Sequence, residues 1–302
     1  MATHKTIVPE LMEKINASMV IYNTERSIVE NAVRSFRGSA FAGTLYIIDN
    51  APTNTAASWF NAPDIEYFHS PKNLGYGRAH NLALRQSIDK AQYHLVLNPD
   101  VYFDPNILEQ LYYFMEEHQD AGLVMPRVLY PDGSLQRLCK LLPSPFNLAV
   151  RRFLPFSDLL FRNLNNRYEM RFSNYNRVMN VPFLSGCFMF LRTEALRTTG
   201  LFDERFFLYA EDADLSRRIH RRFKTLFYPY GEIYHIHARG SYKNTRHTFY
   251  NLRSAMQYFT KWGWFDAERR RINNQAIHQF TVNDPVYSIR FSEVSADTST
   301  GK

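Results

Sequence analysis

Two acidic clusters carry the most pointed chemistry in this sequence. The first is Asn98-Pro99-Asp100, at the end of the apolar run Tyr93–Asn98. A carboxylate in a sharp turn after a buried strand offers oxygen to Mg2+ or Mn2+, hard cations that take few protein carboxylates and fill their shells with water and ligand phosphates. Asn and Asp also cap turns for purely local reasons. The second cluster is Glu211-Asp212-Ala213-Asp214, which follows the aromatic segment Phe207-Leu208-Tyr209 and opens a helix. The helix dipole alone accounts for carboxylates in a first turn. Three of them in four residues also repel one another, which raises a pKa and poises a base. His235 and His237 alternate in a strand-like stretch and so share a face, with no HExxH spacing beside them. Gly75 and Gly77 precede a helix and permit close backbone approach to a ligand.

These groups need elements to hold them. Ala17–Tyr22, Thr44–Asp49, Ile65–His69 and Tyr93–Asn98 read as buried strands. Between them Glu25–Phe36, Tyr76–Lys90 and Pro105–Gln119 read as helices, the last with proline in its first turn. Alternating strands and helices predict an α/β fold with a mostly parallel sheet flanked by helices. Ligands of such sheets sit beyond the carboxyl ends of the strands. Asn23-Thr24, Asp49-Asn50 and Asn98-Pro99-Asp100 stand at three of those ends. Further on, Val181–Arg192 and Thr225–Tyr230 read as strands, and Glu211–Phe223 and Asn244–Trp264 as helices. Residues 139–180 look like an insertion, and 284–302 like a disordered tail.

The chain has 302 residues, 45% hydrophobic and 22% charged, a globular composition. No apolar run approaches the ~20 residues that span a bilayer, and Met1–Ala17 lacks the apolar stretch of a secretory signal. Cys139 and Cys187 are the only cysteines, which excludes a disulfide scaffold or Cys-rich zinc module and predicts a reducing, cytoplasmic setting. Charge is uneven. Residues 1–150 carry 12 Lys and Arg against 15 Asp and Glu, whereas 151–302 carry 24 against 14. A basic C-terminal half implies an anionic partner: nucleic acid, an anionic membrane or a phosphorylated small molecule. The absence of GxGxxG after the first strand, and of GxxxxGK[ST] anywhere, removes the dinucleotide-binding and P-loop readings.

Taken in order, several segments resemble the family 2 glycosyltransferases, inverting enzymes of the GT-A fold, and most closely their bacterial rhamnosyltransferase-like branch. They are Met19-Val20-Ile21-Tyr22-Asn23, Ile47-Ile48-Asp49-Asn50-Ala51, Asn73-Leu74-Gly75-Tyr76-Gly77 with Asn81, and Leu97-Asn98-Pro99-Asp100. Ser185-Gly186-Cys187-Phe188, Phe202-Asp203-Glu204-Arg205-Phe206-Phe207, Glu211-Asp212-Ala213-Asp214-Leu215 with Arg218, and His237 with Ser241 complete the set. The resemblance implies a GT-A domain over 17–242, after an N-terminal extension of 1–16, with the 139–180 insertion on the acceptor side and a C-terminal helical region over 243–283. It implies a metal-dependent, inverting hexosyltransferase. A sugar would pass from dTDP-rhamnose or a UDP-sugar to a hydroxyl of a glycan or lipid-linked acceptor in surface polysaccharide biosynthesis.

Site roles follow from the same resemblance. Asp212 would be the general base, its site shaped by Glu211 and Asp214. Tyr22, Asn23, Asp49, Asn73, Gly75, Arg78 and Asn98 would bind the donor nucleotide, with Asp49 at base or ribose. Asp100 and His237 would hold Mg2+ or Mn2+, and Ser185 and Gly186 would border acceptor and sugar. Asn98 stands where many family members carry the first Asp of Asp-x-Asp, so a single carboxylate is offered. The basic aromatic stretches Phe146–Leu164 and Tyr250–Trp264 would rest peripherally on the anionic inner face of the cell membrane. Two rivals compete with this reading, beside a nucleotidyltransferase, which would need a nucleoside triphosphate and release pyrophosphate. One is a non-catalytic nucleotide-sugar-binding protein of the same fold. The other is a nucleic-acid binder using Arg217, Arg218, Arg221 and Arg222, which leaves the acidic residues without a role.

Overall fold

Strand β1 (Glu13–Ile21) begins four residues before the boundary expected at position 17. It lies between β2 (Ala42–Asp49) and β4 (Ala91–Leu97), parallel to both, and β3 (Ile65–His69) extends the parallel set beyond β2. The computed structural model describes residues 13–145, 162–236 and 245–281. The expected tail, residues 146–161, His237 and Ser241 lie outside the described residues. Burial on both faces suits the apolar runs Leu45–Ile48 of β2 and Leu95–Leu97 of β4, while β1 also buries Asn16 and Ser18. Helix α1 (Arg26–Arg37) buries Val29, Ala32, Val33 and Phe36, the i, i+3, i+4, i+7 stripe that places it on the sheet. Helix α2 (Tyr76–Ser87) buries Ala79, Ala83 and Leu84.

The second half of the sheet is mixed. After β5 (Val101–Phe103), α3 (Asn106–Glu117) leads to β6 (Ala121–Leu129). Short elements follow: β7 (Cys139–Lys140), α4 (Arg162–Tyr168), β8 (Met179–Asn180) and β9 (Phe183–Leu184). Strand β10 (Phe188–Arg192) slots antiparallel between β4 and β6, and β11 (Lys224–His235) pairs parallel with β6 and antiparallel with β5 and β8. The main path runs β3-β2-β1-β4-β10-β6-β11-β5, while β7 and β9 form a separate two-stranded sheet. Between β10 and β11 lie α5 (Thr193–Thr199) and α6 (Glu211–His220). The C-terminal helical region consists of α7 (Thr245–Trp262) and α8 (Ala267–Thr281). Among the described residues no helix is long and apolar enough to cross a membrane.

The stretch Val181–Arg192, expected as one strand, is broken at Ser185-Gly186-Cys187. The Gly186 N–H donates to Asp212 Oδ2 at 3.0 Å, and the Cys187 carbonyl accepts from the Asn98 N–H at 2.9 Å. Backbone groups that would continue the ladder are diverted to two acidic segments distant in sequence.

Candidate active site

The carboxyl ends of β1, β2 and β4 open onto one region, as the topology requires. At the first end Tyr22 is exposed and Asn23 adopts φ +50°, a left-handed conformation that Asn tolerates. At the second, Asp49 is buried, accepting from the Ala51 N–H at 2.8 Å and the Tyr67 hydroxyl at 2.8 Å. Burial, then the Asp49 charge, raises the Tyr67 phenol, so it stays a donor. Asn50 Nδ2 donates to the Gly75 carbonyl at 3.2 Å, tying this end to the Asn73–Gly75 loop, where Asn73 Oδ1 accepts from the Gly75 N–H at 2.9 Å. Gly75 is required there. Its φ is +82°, and a Cβ would sit 2.2 Å from the Phe207 carbonyl oxygen. That carbonyl accepts from the Tyr76 N–H at 2.9 Å. The loop before α2 thus clamps the loop before α6.

Tyr76 joins the two acidic clusters. Its hydroxyl lies 3.0 Å from Asn98 Oδ1 and 2.6 Å from the Gly186 carbonyl. Burial raises this phenol well above its ordinary value, and the charges of Glu211, Cys187, Asp212 and Asp100 push the same way. The Cys187 thiol is pushed up to about 12, by burial first and then by Asp100 and Asp212. Asp212 is linked toward Asp100 by hydrogen bonds: Gly186 donates to Asp212, and Tyr76 bridges the Gly186 carbonyl and Asn98, two residues before Asp100.

Asp212 is fixed at the start of α6. Oδ2 accepts from the Gly186 N–H and Oδ1 from the Ala213 N–H at 2.8 Å. A Cβ on Gly186 would lie 3.1 Å from Asp212 Cβ, so this position keeps the turn flush against the carboxylate. Burial raises the Asp212 pKa, opposed by Lys140 and by the Gly186 and Ala213 N–H groups. Glu211 is buried, its Oε2 has no hydrogen-bond partner among the described residues, and its carboxyl is raised to about 8, by burial first and then by Asp212. Before them Tyr209 and Ala210 adopt φ +72° and +67°, strained for L residues. Helix α7 holds them there: Tyr209 Oη lies 2.9 Å from His247 Nδ1, and Ser254 Oγ donates to the Leu208 carbonyl at 2.8 Å.

Asp214 does not join this group. Its fully buried carboxylate accepts from Arg218 Nε at 2.8 Å and Trp262 Nε1 at 2.8 Å, and lies 2.6 Å from Lys261 Nζ. It anchors α6 to α7. Arg78 is exposed and pairs loosely with Glu204 at 3.5 Å. Ser185 Oγ accepts from the Cys187 N–H at 3.4 Å and so stays within the broken-strand turn. The arginine helix is partly committed inside the protein. Arg217 is buried, stacked 4.0 Å from the Trp262 centroid and bonded to Asp266 and Glu268. Arg218 binds Asp214 and the carbonyls of Thr199, Gly200 and Leu201, and Arg221 pairs with Glu268. Two of the four proposed nucleic-acid contacts, Arg217 and Arg218, are therefore held within the protein, while Arg221 is exposed.

Two residues absent from the expected site lie within it. His235 Nε2 is 3.4 Å from Asp100 Oδ1, and its Nδ1 is 3.0 Å from Gln136 Oε1. It was legible as half of the His235–His237 pair. Lys140, on β7, sits opposite Phe183 two residues before Ser185 and is felt by Asp212 and Cys187. No sequence pattern marks it. Among the described residues no three His, Cys, Asp or Glu side chains form a metal-holding group. Asp100, with the His235 imidazole beside it, offers donors of a kind that would suit a hard divalent ion.

Residues 17–200 match the family model described as glycosyl transferase family 2. An N-acetylglucosaminyl-diphospho-decaprenol L-rhamnosyltransferase of Mycobacterium tuberculosis is 28% identical over 211 residues, 66% of this chain and 68% of the relative. The low-salt glycan biosynthesis hexosyltransferase Agl10 of Haloferax volcanii is 23% identical over 213 residues, 70% of this chain and 63% of that protein. Among solved structures, GalNAc-T7 with UDP, GalNAc and Mn2+ superposes at TM-score 0.56 and 13% identity, over 76% of this chain and 44% of that one. S. aureus TarS 1–349 in complex with UDP-GlcNAc superposes at TM-score 0.51 and 16% identity, over 75% of this chain and 59% of that one. At these identities the structural likenesses speak to fold alone.

Proposed function

The chain belongs to glycosyl transferase family 2, and from that premise we propose an inverting, metal-assisted transfer of a sugar from a nucleotide-diphosphate donor to a hydroxyl of a glycan or lipid-linked acceptor. The M. tuberculosis relative supports dTDP-rhamnose as the first donor to try, with UDP-sugars next. The observation that carries the reading is the hydrogen-bonded chain from Asp212 through Gly186 and Tyr76 to Asn98, two residues before Asp100.

Asp212 takes the acceptor hydroxyl proton as the oxygen attacks the anomeric carbon, and the diphosphate departs from the opposite face with the bonding electrons. General-base help of this kind contributes typically ~10²–10⁴ in rate. Hydrogen bonds from Gly186 and Ala213 hold the carboxylate in one orientation. Asp100, with His235 beside it, would hold the divalent ion. When bound, that ion offsets the negative charge gathering on the leaving diphosphate. Asp49, Asn73 and Gly75 form the nucleotide end. Asn98 and Tyr76 link the metal turn to the Ser185-Gly186 turn, where acceptor and sugar meet.

A thermal-shift panel of UDP, dTDP, GDP and CMP, each with and without Mg2+ or Mn2+, tests this. The cognate nucleotide at ~100 times its dissociation constant should add roughly 2.7 kcal/mol. Asp100→Ala should remove the metal-dependent part of that gain. An unchanged gain would mean that the nucleotide is held without metal at Asp100. A nucleotide response without sugar transfer would select the non-catalytic binding reading.

Peripheral membrane association is part of the proposal. Tyr258, Phe259 and Trp262 face the protein, but Phe249, Leu252 and Met256 form an exposed apolar stripe on α7, with Arg253 on the same face. Trp264 and Phe265 are exposed at its end. Apolar side chains beside arginines suit an anionic leaflet. The protein should sediment with phosphatidylglycerol-containing vesicles and not with neutral ones, and Phe249→Ser with Met256→Ser should release it. Equal sedimentation with both vesicle types, or none, would dismiss the association.

A further inference from the structure

Strand β11 is interrupted midway. Pro126 on the neighbouring β6 lacks the N–H that a continuous ladder needs. Opposite it, Pro229, Tyr230 and Gly231 stay unpaired between the partners Tyr228↔Pro126 and Glu232↔Arg127. Such bulges bend a strand and redirect its side chains. Tyr230 is thrown outward, 69% exposed, its ring 5.4 Å from that of Tyr228. Gly231 lies against α3, where a Cβ would come within 3.0 Å of Ile107 and 3.3 Å of Gln110 Oε1.

The bulge opens a cleft of about 450 Å3 against the first turns of α3. Tyr230 and Tyr234 supply its rings, and Asn106, Gln110 and the Arg127–Glu232 ion pair its polar groups. Tyr234 is held by Tyr102, stacked at 5.2 Å and 11°. Among the described residues no hydrogen bond engages the side-chain amides of Asn106 or Gln110. Asp104 and Glu232 disfavour an anion here, and the polar groups disfavour a lipid tail. A pyranose matches both features: its C–H face lies on tyrosine rings, and its neighbouring hydroxyls take the amides, guanidinium and carboxylates in pairs.

We propose that this cleft is a saccharide-binding subsite separate from the reaction centre, taking the glycan portion of a substrate. The choice of a glycan rests on the transferase reading. Asp104 follows Asp100 by four residues, roughly 13 Å of extended strand, so the cleft would receive sugars removed from the reacting one.

Saturation-transfer NMR on the full chain, with the methyl glycosides of rhamnose, N-acetylglucosamine, galactose and glucose, tests the subsite. At least one glycoside should receive saturation, and its apparent affinity should fall roughly fivefold or more in Tyr230→Ser. Asn106→Ala, on the other wall, should weaken it too. The nucleotide thermal shift should stay unchanged in both variants. No transfer to any glycoside at millimolar concentration, or equal transfer in Tyr230→Ser, overturns the proposal. Glycoside binding that depends on Tyr230, in a protein showing no nucleotide response, would sustain the subsite while sinking the transferase reading.

Discussion

Asp212→Asn should lower sugar transfer by roughly 10²–10⁴ while leaving the nucleotide thermal shift in place. The substitution is nearly isosteric but removes the proton acceptor. It also has a structural cost, because Asp212 accepts from two backbone N–H groups through separate oxygens. Asparagine has one carbonyl oxygen and must turn its NH2 toward the other donor, a loss on the order of 1 kcal/mol. The melting temperature of the variant should therefore be measured beside its rate. A modest fall in stability with a large fall in rate supports the base assignment. Transfer at the wild-type rate refutes it. Asp214→Asn makes the useful contrast. That carboxylate meets Arg218, Lys261 and Trp262, so its neutralisation should loosen the α6–α7 junction and appear first in stability.

Helical geometry already separates Asp212 from Asp214. At about 100° per residue the two point about 200° apart, whereas Asp214 and Arg218 share a face. The acidic cluster was legible in the sequence, but its members do not share surroundings: Asp212 meets the Gly186 turn and Asp214 meets Arg218 and Trp262. Strand ends were equally legible: Ile65–His69 falls as expected, and Asp49 and Asn98 stand at the carboxyl ends of β2 and β4. Strand direction was not. Phe188–Arg192 is wholly buried, and a continuous apolar run does not reveal whether its neighbours run parallel or antiparallel. The break at Ser185-Gly186-Cys187 depends on partners 26 or more residues away. The sequence suggests a strand over Thr225–Tyr230, ending beside Pro229 and Gly231. In the fold they form a bulge, and the strand resumes to deliver His235 to Asp100. Helix α8 has little apolar periodicity. It is secured by Ile272, Ala276 and Phe280 and by bonds from Asn273 to Leu142 and from Gln279 to Asn180, contacts invisible in one sequence.

Acid should destabilise the protein through a buried histidine pair beneath the site. Ser18 Oγ lies 2.7 Å from His80 Nδ1 and 2.8 Å from His94 Nε2, and His94 Nδ1 lies 2.8 Å from Ser87 Oγ. Both rings are fully buried. Burial lowers His94 to about 3 and places His80 well below its ordinary value, with His94 adding to the second effect. In the unfolded chain both titrate near ~6.5. Below that pH the unfolded state takes up protons that the native state refuses. Their stabilisation is therefore complete above ~6.5 and declines toward the native pKa values, at about 1.4 kcal/mol per pH unit for each ring. Glu211 acts in the opposite sense. Its native value of about 8 exceeds the ordinary 4.5, so the native state holds an extra proton between those limits and gains stability as pH falls from 8. His220, lowered to about 4 by burial and then by Arg271, adds a third ring of the same kind. Together these effects place the stability maximum near neutrality, with histidine uptake outweighing the Glu211 proton below roughly pH 6.5. Urea unfolding across about pH 4.5–8 checks the sum. Glu211→Gln should steepen the acid slope, because an opposing native-state proton is lost, and weaken the limb above about pH 6.5. His94→Gln should shallow the acid slope at some loss of stability at neutral pH. An acid slope that neither substitution changes would show that these buried groups do not set the acid limit.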